Sequence, residues 1–126
     1  MTRFSAFLPV ACVAALVAAA PALAHPKMVS STPADGSTAK GVKAITLQFS
    51  ETLVPQFSGF ELVMTGMPGM ANHAPMKIQG FKVDVADKSM TTSLPRALPA
   101  GSYELNWHAV AADTHRIQGT VRFTAE

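Results

Sequence analysis

Cysteine is nearly missing from this chain: Cys12 is the single one, and it stands in the apolar stretch that opens the sequence. Beyond that stretch no disulfide can brace the fold, and thiolate metal chemistry and thiol catalysis are excluded. Charge is thin as well. Ten Lys and Arg face eight Asp and Glu in 126 residues, scattered without a basic stripe, so nucleic acid is excluded as a partner. Aromatic residues are few, with one Trp and one Tyr. No serine sits in a nucleophile motif and no glycine-rich phosphate loop occurs. Asp84 and Asp87 fit turns or strand ends rather than a paired carboxylate site. No segment carries a sustained helical period, and nine prolines oppose long helices.

What is present begins with an export signal. Arg3 precedes an apolar run from Phe4 to Ala20, and Pro21 with Ala22-Leu23-Ala24 completes an A-x-A-type cleavage site. A membrane anchor would need about 20 clean apolar residues, and Ser5 and Pro9 interrupt the run. Cys12 fits a lipid-acceptor site poorly after Pro9-Val10-Ala11, and most of the apolar run follows it. The sequence therefore predicts a cleaved signal peptide, residues 1–24, delivery to the periplasm, and one mature domain, residues 25–126. No linker or internal repeat divides that domain, and no second apolar stretch is long enough to span a membrane.

Its secondary structure is legible as strands. Ile45, Leu47 and Phe49 alternate with polar residues, as do Phe60, Leu62 and Met64. Tyr103, Leu105, Trp107 and Ala109 repeat the pattern, then Ile117, Gly119, Val121 and Phe123. Period-two alternation is the mark of a strand with one buried face. Turn signals at Pro33-Ala34-Asp35-Gly36-Ser37 and Leu98-Pro99-Ala100-Gly101-Ser102 separate the runs. About seven short strands in a domain of this size predict an all-β antiparallel sandwich or Greek-key barrel.

Three segments carry chemistry. From Met64 to Met76, 13 residues hold four of the chain's seven methionines, His73, two prolines and two glycines. Such a run is a surface loop, where methionine is out of its ordinary place as a filler of core gaps. Thioether sulfur is a soft neutral ligand that selects Cu(I), so Met64, Met67, Met70 and Met76 with His73 form a candidate site. Met64 also fits the inward face of its strand, and a flexible apolar flap is the alternative for the cluster. Met28 and Met90 fall outside it.

Cleavage after Ala24 would make His25 the first residue, with a free α-amine beside its imidazole. Pro26 has no N–H, so its peptide nitrogen cannot bind a metal, and only amine and imidazole remain there. The alternative is that the signal merely ends at this point. The third segment, Asp113-Thr114-His115, would put carboxylate and imidazole on one side of an extended backbone, a nitrogen–oxygen set suited to Cu(II). A surface pair in which Asp113 orients His115 is the competing reading. His108 is expected on the outward face, without a partner.

In this order these segments resemble the CopC family of periplasmic copper-resistance proteins. The resemblance spans the mature chain through His25-Pro26-Lys27, Ser30-Ser31-Thr32-Pro33, Gln56-Phe57-Ser58-Gly59, the methionine loop, and Asp113-Thr114-His115 ahead of the last strand. It implies a seven-stranded Greek-key β-barrel of cupredoxin-like, Ig-like kind. It also implies Cu(II) held by the His25 amine and imidazole, Asp113 and His115, and Cu(I) held by the methionine loop. One departure is that Ala71 and Asn72 both separate Met70 from His73, where the family pattern has a single residue.

The expected function is a monomeric copper carrier or buffer, not an enzyme, exchanging copper with a membrane copper transporter or a multicopper oxidase. The alternative is a copper-dependent oxidative enzyme built on an N-terminal histidine. The small domain and its single Trp and Tyr leave little for a broad substrate face.

Overall fold

The computed structural model describes residues 25–70 and 73–126; the expected signal peptide, Ala71 and Asn72 lie outside them. Nine strands follow one another: β1 (Met28–Thr32), β2 (Thr38–Ala39), β3 (Ala44–Phe49), β4 (Gly59–Gly66), β5 (Met76–Lys77), β6 (Asp84–Ala86), β7 (Ser89–Ser93), β8 (Gly101–Val110) and β9 (Arg116–Ala125). A single 3-10 turn, Pro55–Phe57, precedes β4. One sheet has the order β1-β3-β7-β6 and the other β2-β9-β8-β4-β5. Neither closes on itself, so the domain is a β-sandwich rather than a closed barrel. Strands β3, β4, β8 and β9 are the four segments read from the sequence, and with β1, β6 and β7 the longer strands make the expected seven. β2 and β5 are two-residue edge pieces, and β2 joins β9 in parallel.

The core follows the alternation. Ile45, Leu47 and Phe49 of β3, Phe60, Leu62 and Met64 of β4, and Tyr103, Leu105, Trp107 and Ala109 of β8 are all buried. From β9, Val121, Phe123 and Ala125 join them. Each large apolar side chain buried in this way contributes about 1.5–3 kcal/mol, the main cohesive force in a domain without disulfides. Tyr103 stacks on Phe123, ring centres 5.4 Å apart, and its hydroxyl donates to the Pro99 carbonyl at 2.6 Å. Burial raises the pKa of that phenol.

Trp107 meets Phe49 edge-on at 5.2 Å and lies over Gly119, its cross-strand partner. A Cβ on Gly119 would come within 2.5 Å of the indole Cζ2. Gly119→Ala should therefore displace the indole and cost about 1–3 kcal/mol, the usual cost of overpacking. Urea unfolding would read the loss, and a shifted Trp107 emission would show its cause.

Two pairings prepare the functional end. β8 and β9 run in unbroken antiparallel register from Gly101↔Ala125 to Val110↔Arg116, so the segment between them projects from one end of the sandwich. β1 pairs with β3 from Met28↔Phe49. That register carries His25 and Pro26 to the same end.

Candidate metal centre

At that end the peptide on either side of the site is tied down. Pro26 is fully buried, and the Lys27 N–H donates to Ser50 Oγ at 2.9 Å. Across the sandwich, the Val110 N–H donates to Ser58 Oγ at 3.0 Å, and Val110 C=O accepts from the Val54 N–H at 2.8 Å. The connection beyond Val110 is a turn, not the extended segment the sequence suggested. Thr114 has φ 63°, unusual for a β-branched residue, and its N–H donates to Ala111 C=O at 2.9 Å. Asp113 Oδ1 accepts the His115 N–H at 3.2 Å. The two side chains thus converge because the backbone folds back between them. Sheet-like same-side geometry plays no part.

His25, Asp113 and His115 then form one cluster, the single group of three or more metal-binding His, Asp or Glu among the described residues. Their ligand atoms all lie within 4.8 Å of one another. Asp113 Oδ2 contacts His25 Nδ1 and stands 3.9 Å from His115 Nδ1. The imidazole rings are 5.2 Å apart, tilted by 40°. The carboxylate is only 6% exposed, against 57% and 72% for the two histidine side chains. Oδ2 is buried, yet no hydrogen bond of sound geometry reaches it despite the neighbouring rings. An unsatisfied buried anion between two imidazoles is an arrangement that a cation completes.

The methionine segment is divided by the fold. Met64 is 5% exposed and belongs to the core on β4, in step with Phe60 and Leu62. Met67, Met70 and Met76 are instead 41%, 53% and 54% exposed, three of the five large hydrophobic residues that face solvent. Met67 and Met70 exchange both backbone N–H···O bonds at 2.9 Å around Pro68 and Gly69, the latter at φ 80°. Proline then a left-handed glycine is the chemistry of a type II turn. Directly paired residues project to the same face, so the turn puts two thioethers side by side.

Met76 pairs with Met64 across the short β4–β5 ladder. His73 returns beside β4 through its N–H, which donates to Thr65 C=O at 3.3 Å. Its Nδ1 lies 2.7 Å from Ala74 C=O, an acceptor to which it donates. Nε2 is buried and without a hydrogen-bond partner.

His108 stays apart from both groups, in β8 opposite Gly59 and Gln118. Burial lowers its pKa, with Arg116 adding to the effect and Glu61 opposing it. It lines an open cavity of about 720 Å³ with Glu61, Asn106, Arg116, Gln118 and Thr120. No third metal-binding side chain joins His108 and Glu61 there. Sequence reasoning gave Ser50 no place and named Ser58 only within the Gln56-Phe57-Ser58-Gly59 stretch, without a role. What a serine beside a strand end does depends on a distant backbone.

The CopC domain family matches residues 28–126. Copper resistance protein C of Pseudomonas syringae pv. tomato is 49% identical over 111 residues, covering 87% of each chain. Copper resistance protein C of Escherichia coli is 43% identical over 106 residues, 83% of this chain and 84% of that one. The crystal structure of PcoC, a methionine-rich copper resistance protein from Escherichia coli, superposes with a TM-score of 0.72 at 42% identity. It covers 82% of this chain and all of PcoC. The match therefore runs from the first strand to the C-terminal residue, and the chain belongs to the CopC family.

Proposed function

We propose that this protein binds copper in two chemically distinct places and serves as a carrier or buffer in the bacterial periplasm, not as a catalyst. The observation that carries the reading is the buried, unsatisfied Asp113 Oδ2 between the imidazoles of His25 and His115. Two imidazole nitrogens and a carboxylate oxygen suit Cu(II). Removal of residues 1–24 would add the His25 α-amine to that set. Both imidazoles remain open to solvent, which favours exchange with a partner over permanent storage.

For Cu(I), the ligand set becomes Met67, Met70 and Met76 with His73. Met64 is left out, because its sulfur is committed to the core. The oxidation state of the ion then decides which site it occupies. The names of the relatives, copper resistance proteins, support copper as cargo. A membrane copper transporter or a multicopper oxidase is the partner class for exchange. No helix among the described residues is long and apolar enough to cross a membrane.

The test is a Cu(II) titration of mature protein beginning at His25, beside protein with one extra residue ahead of it. Trp107, the chain's one tryptophan, reports binding by fluorescence, and EPR reports the ligand field. The extension should weaken binding on the order of tenfold or more, because affinity follows the number of deprotonated ligands, and should alter the EPR spectrum. Equal binding by both forms would remove the amine from the site. Reductant-dependent oxygen turnover on a polysaccharide would favour an enzyme instead.

A further inference from the structure

A metal ligand on the first residue of a chain has a physical difficulty. Terminal residues fray, and ordering one when the ion binds lowers affinity. β1 does not solve this by itself. Its pairing with β3 starts at Met28↔Phe49, and a bulge interrupts the register between Met28 and Ser30. The residue that takes over is Ser50, just past the end of β3.

We infer that Ser50 is a positioning residue for the metal centre, fixing where His25 stands without touching the ion. The inference rests on the reading of His25 as a ligand. Ser50 Oγ accepts the Lys27 N–H at 2.9 Å, and the Ser50 N–H donates to Lys27 C=O at 2.9 Å. Both backbone polar groups of Lys27 are therefore held by one residue. Between this clamp and His25 lies only Pro26, whose ring restricts its own φ and is fully buried. Little backbone freedom remains to the ligand.

The clamp stands on a fixed base. The Phe49 N–H donates to Lys88 C=O at 2.8 Å, and the Leu53 N–H donates to Asp87 C=O at 2.8 Å. Ser50 thus transmits the position of the β6–β7 connection to the chain's start. Its hydroxyl contact is exposed, so water can satisfy the Lys27 N–H once the hydroxyl is gone. Removing the hydroxyl should therefore loosen His25 while leaving the folded state almost as stable.

The experiment measures Cu(II) affinity by chelator competition, with EPR and thermal unfolding of the apo protein, on mature chain beginning at His25. Ser50→Ala should weaken Cu(II) binding by about tenfold, the scale of losses from groups that orient metal ligands, and broaden the EPR signal. Its unfolding temperature should barely move. Ser50→Thr, which keeps the hydroxyl, should restore affinity. Thr52→Ala removes a nearby exposed hydroxyl, which donates to Asp87 Oδ1 at 3.1 Å. It leaves the backbone bonds of the base and of Lys27 in place, and should leave affinity intact.

In protein carrying His25→Ala and one extra residue ahead of it, Ser50→Ala should have no further effect. Unchanged affinity in Ser50→Ala overturns this inference alone, as does an equal loss in Thr52→Ala or a loss that persists without His25. Wild-type Cu(II) binding indifferent to His25 would overturn the site reading itself, and this inference with it.

Discussion

Asp113→Asn should lower Cu(II) affinity by about 100-fold or more, beyond what loss of a merely orienting group costs, and leave the apo fold intact or slightly firmer. The substitution keeps an oxygen to accept the His115 N–H, the bond that Oδ1 makes at 3.2 Å. What it removes is the one carboxylate of the proposed ligand set, 6% exposed and flanked by both imidazoles. In the apo protein the same group is a liability. A buried acceptor short of a hydrogen bond costs about 1–3 kcal/mol, and Oδ2 has its contact with His25 Nδ1 but no hydrogen bond of sound geometry. Loss of binding should therefore come with unchanged or improved stability, the opposite of what a structural role for Asp113 would give. Competition against a chromophoric chelator measures the first quantity and urea unfolding the second. Wild-type affinity in Asp113→Asn would take the carboxylate out of the ligand set. His108→Gln, outside the cluster, serves as the control.

Replacing Met67 and Met70 together by leucine should abolish Cu(I) binding at physiological competitor strength and leave Cu(II) binding untouched. The two thioethers are presented side by side by the Met67–Met70 turn, and both are about half exposed. Leucine keeps the volume and removes the sulfur, a swap that costs under about 1.5 kcal/mol even in a core. Stability is therefore not the route by which binding fails. Met64→Leu is the informative contrast. It should leave Cu(I) affinity as it is, because Met64 packs against the core, and should register only as a small change in unfolding. Anaerobic titration against a Cu(I)-specific chelator, with sulfur scattering from X-ray absorption, distinguishes the cases. Loss of Cu(I) in Met64→Leu would show that the core sulfur can reach the ion and would enlarge the site.

Met64 also shows how far the sequence could be read. Its parity with Phe60 and Leu62 was visible and correct, whereas its place in a run of methionines pointed the other way. The two signals conflict in one dimension. Burial resolves them, because β4 continues through Gly66 before the exposed turn begins. The two-residue strands β2 and β5 were illegible for a simpler reason, since two residues cannot display a period. The Asp113–His115 pair was found by its spacing, but the geometry behind that choice was not the one present. Left-handed Thr114 brings the side chains together where an extended segment was expected.

By itself the sequence determined which faces of the strands are buried, because a sheet with one wet face forces alternation at period two. It also determined that the stretch holding Met67-Pro68-Gly69-Met70 is a surface loop, since proline and glycine bias the backbone locally whatever surrounds them. Only the tertiary structure decided that His25 meets Asp113, that Asp113 Oδ2 is buried without gaining a hydrogen bond, and that Ser50 holds the Lys27 backbone. Those contacts join segments distant in sequence. They exist because the β1–β3 and β8–β9 registers end at the same edge of the sandwich, and no local preference of the residues involved encodes where two registers end.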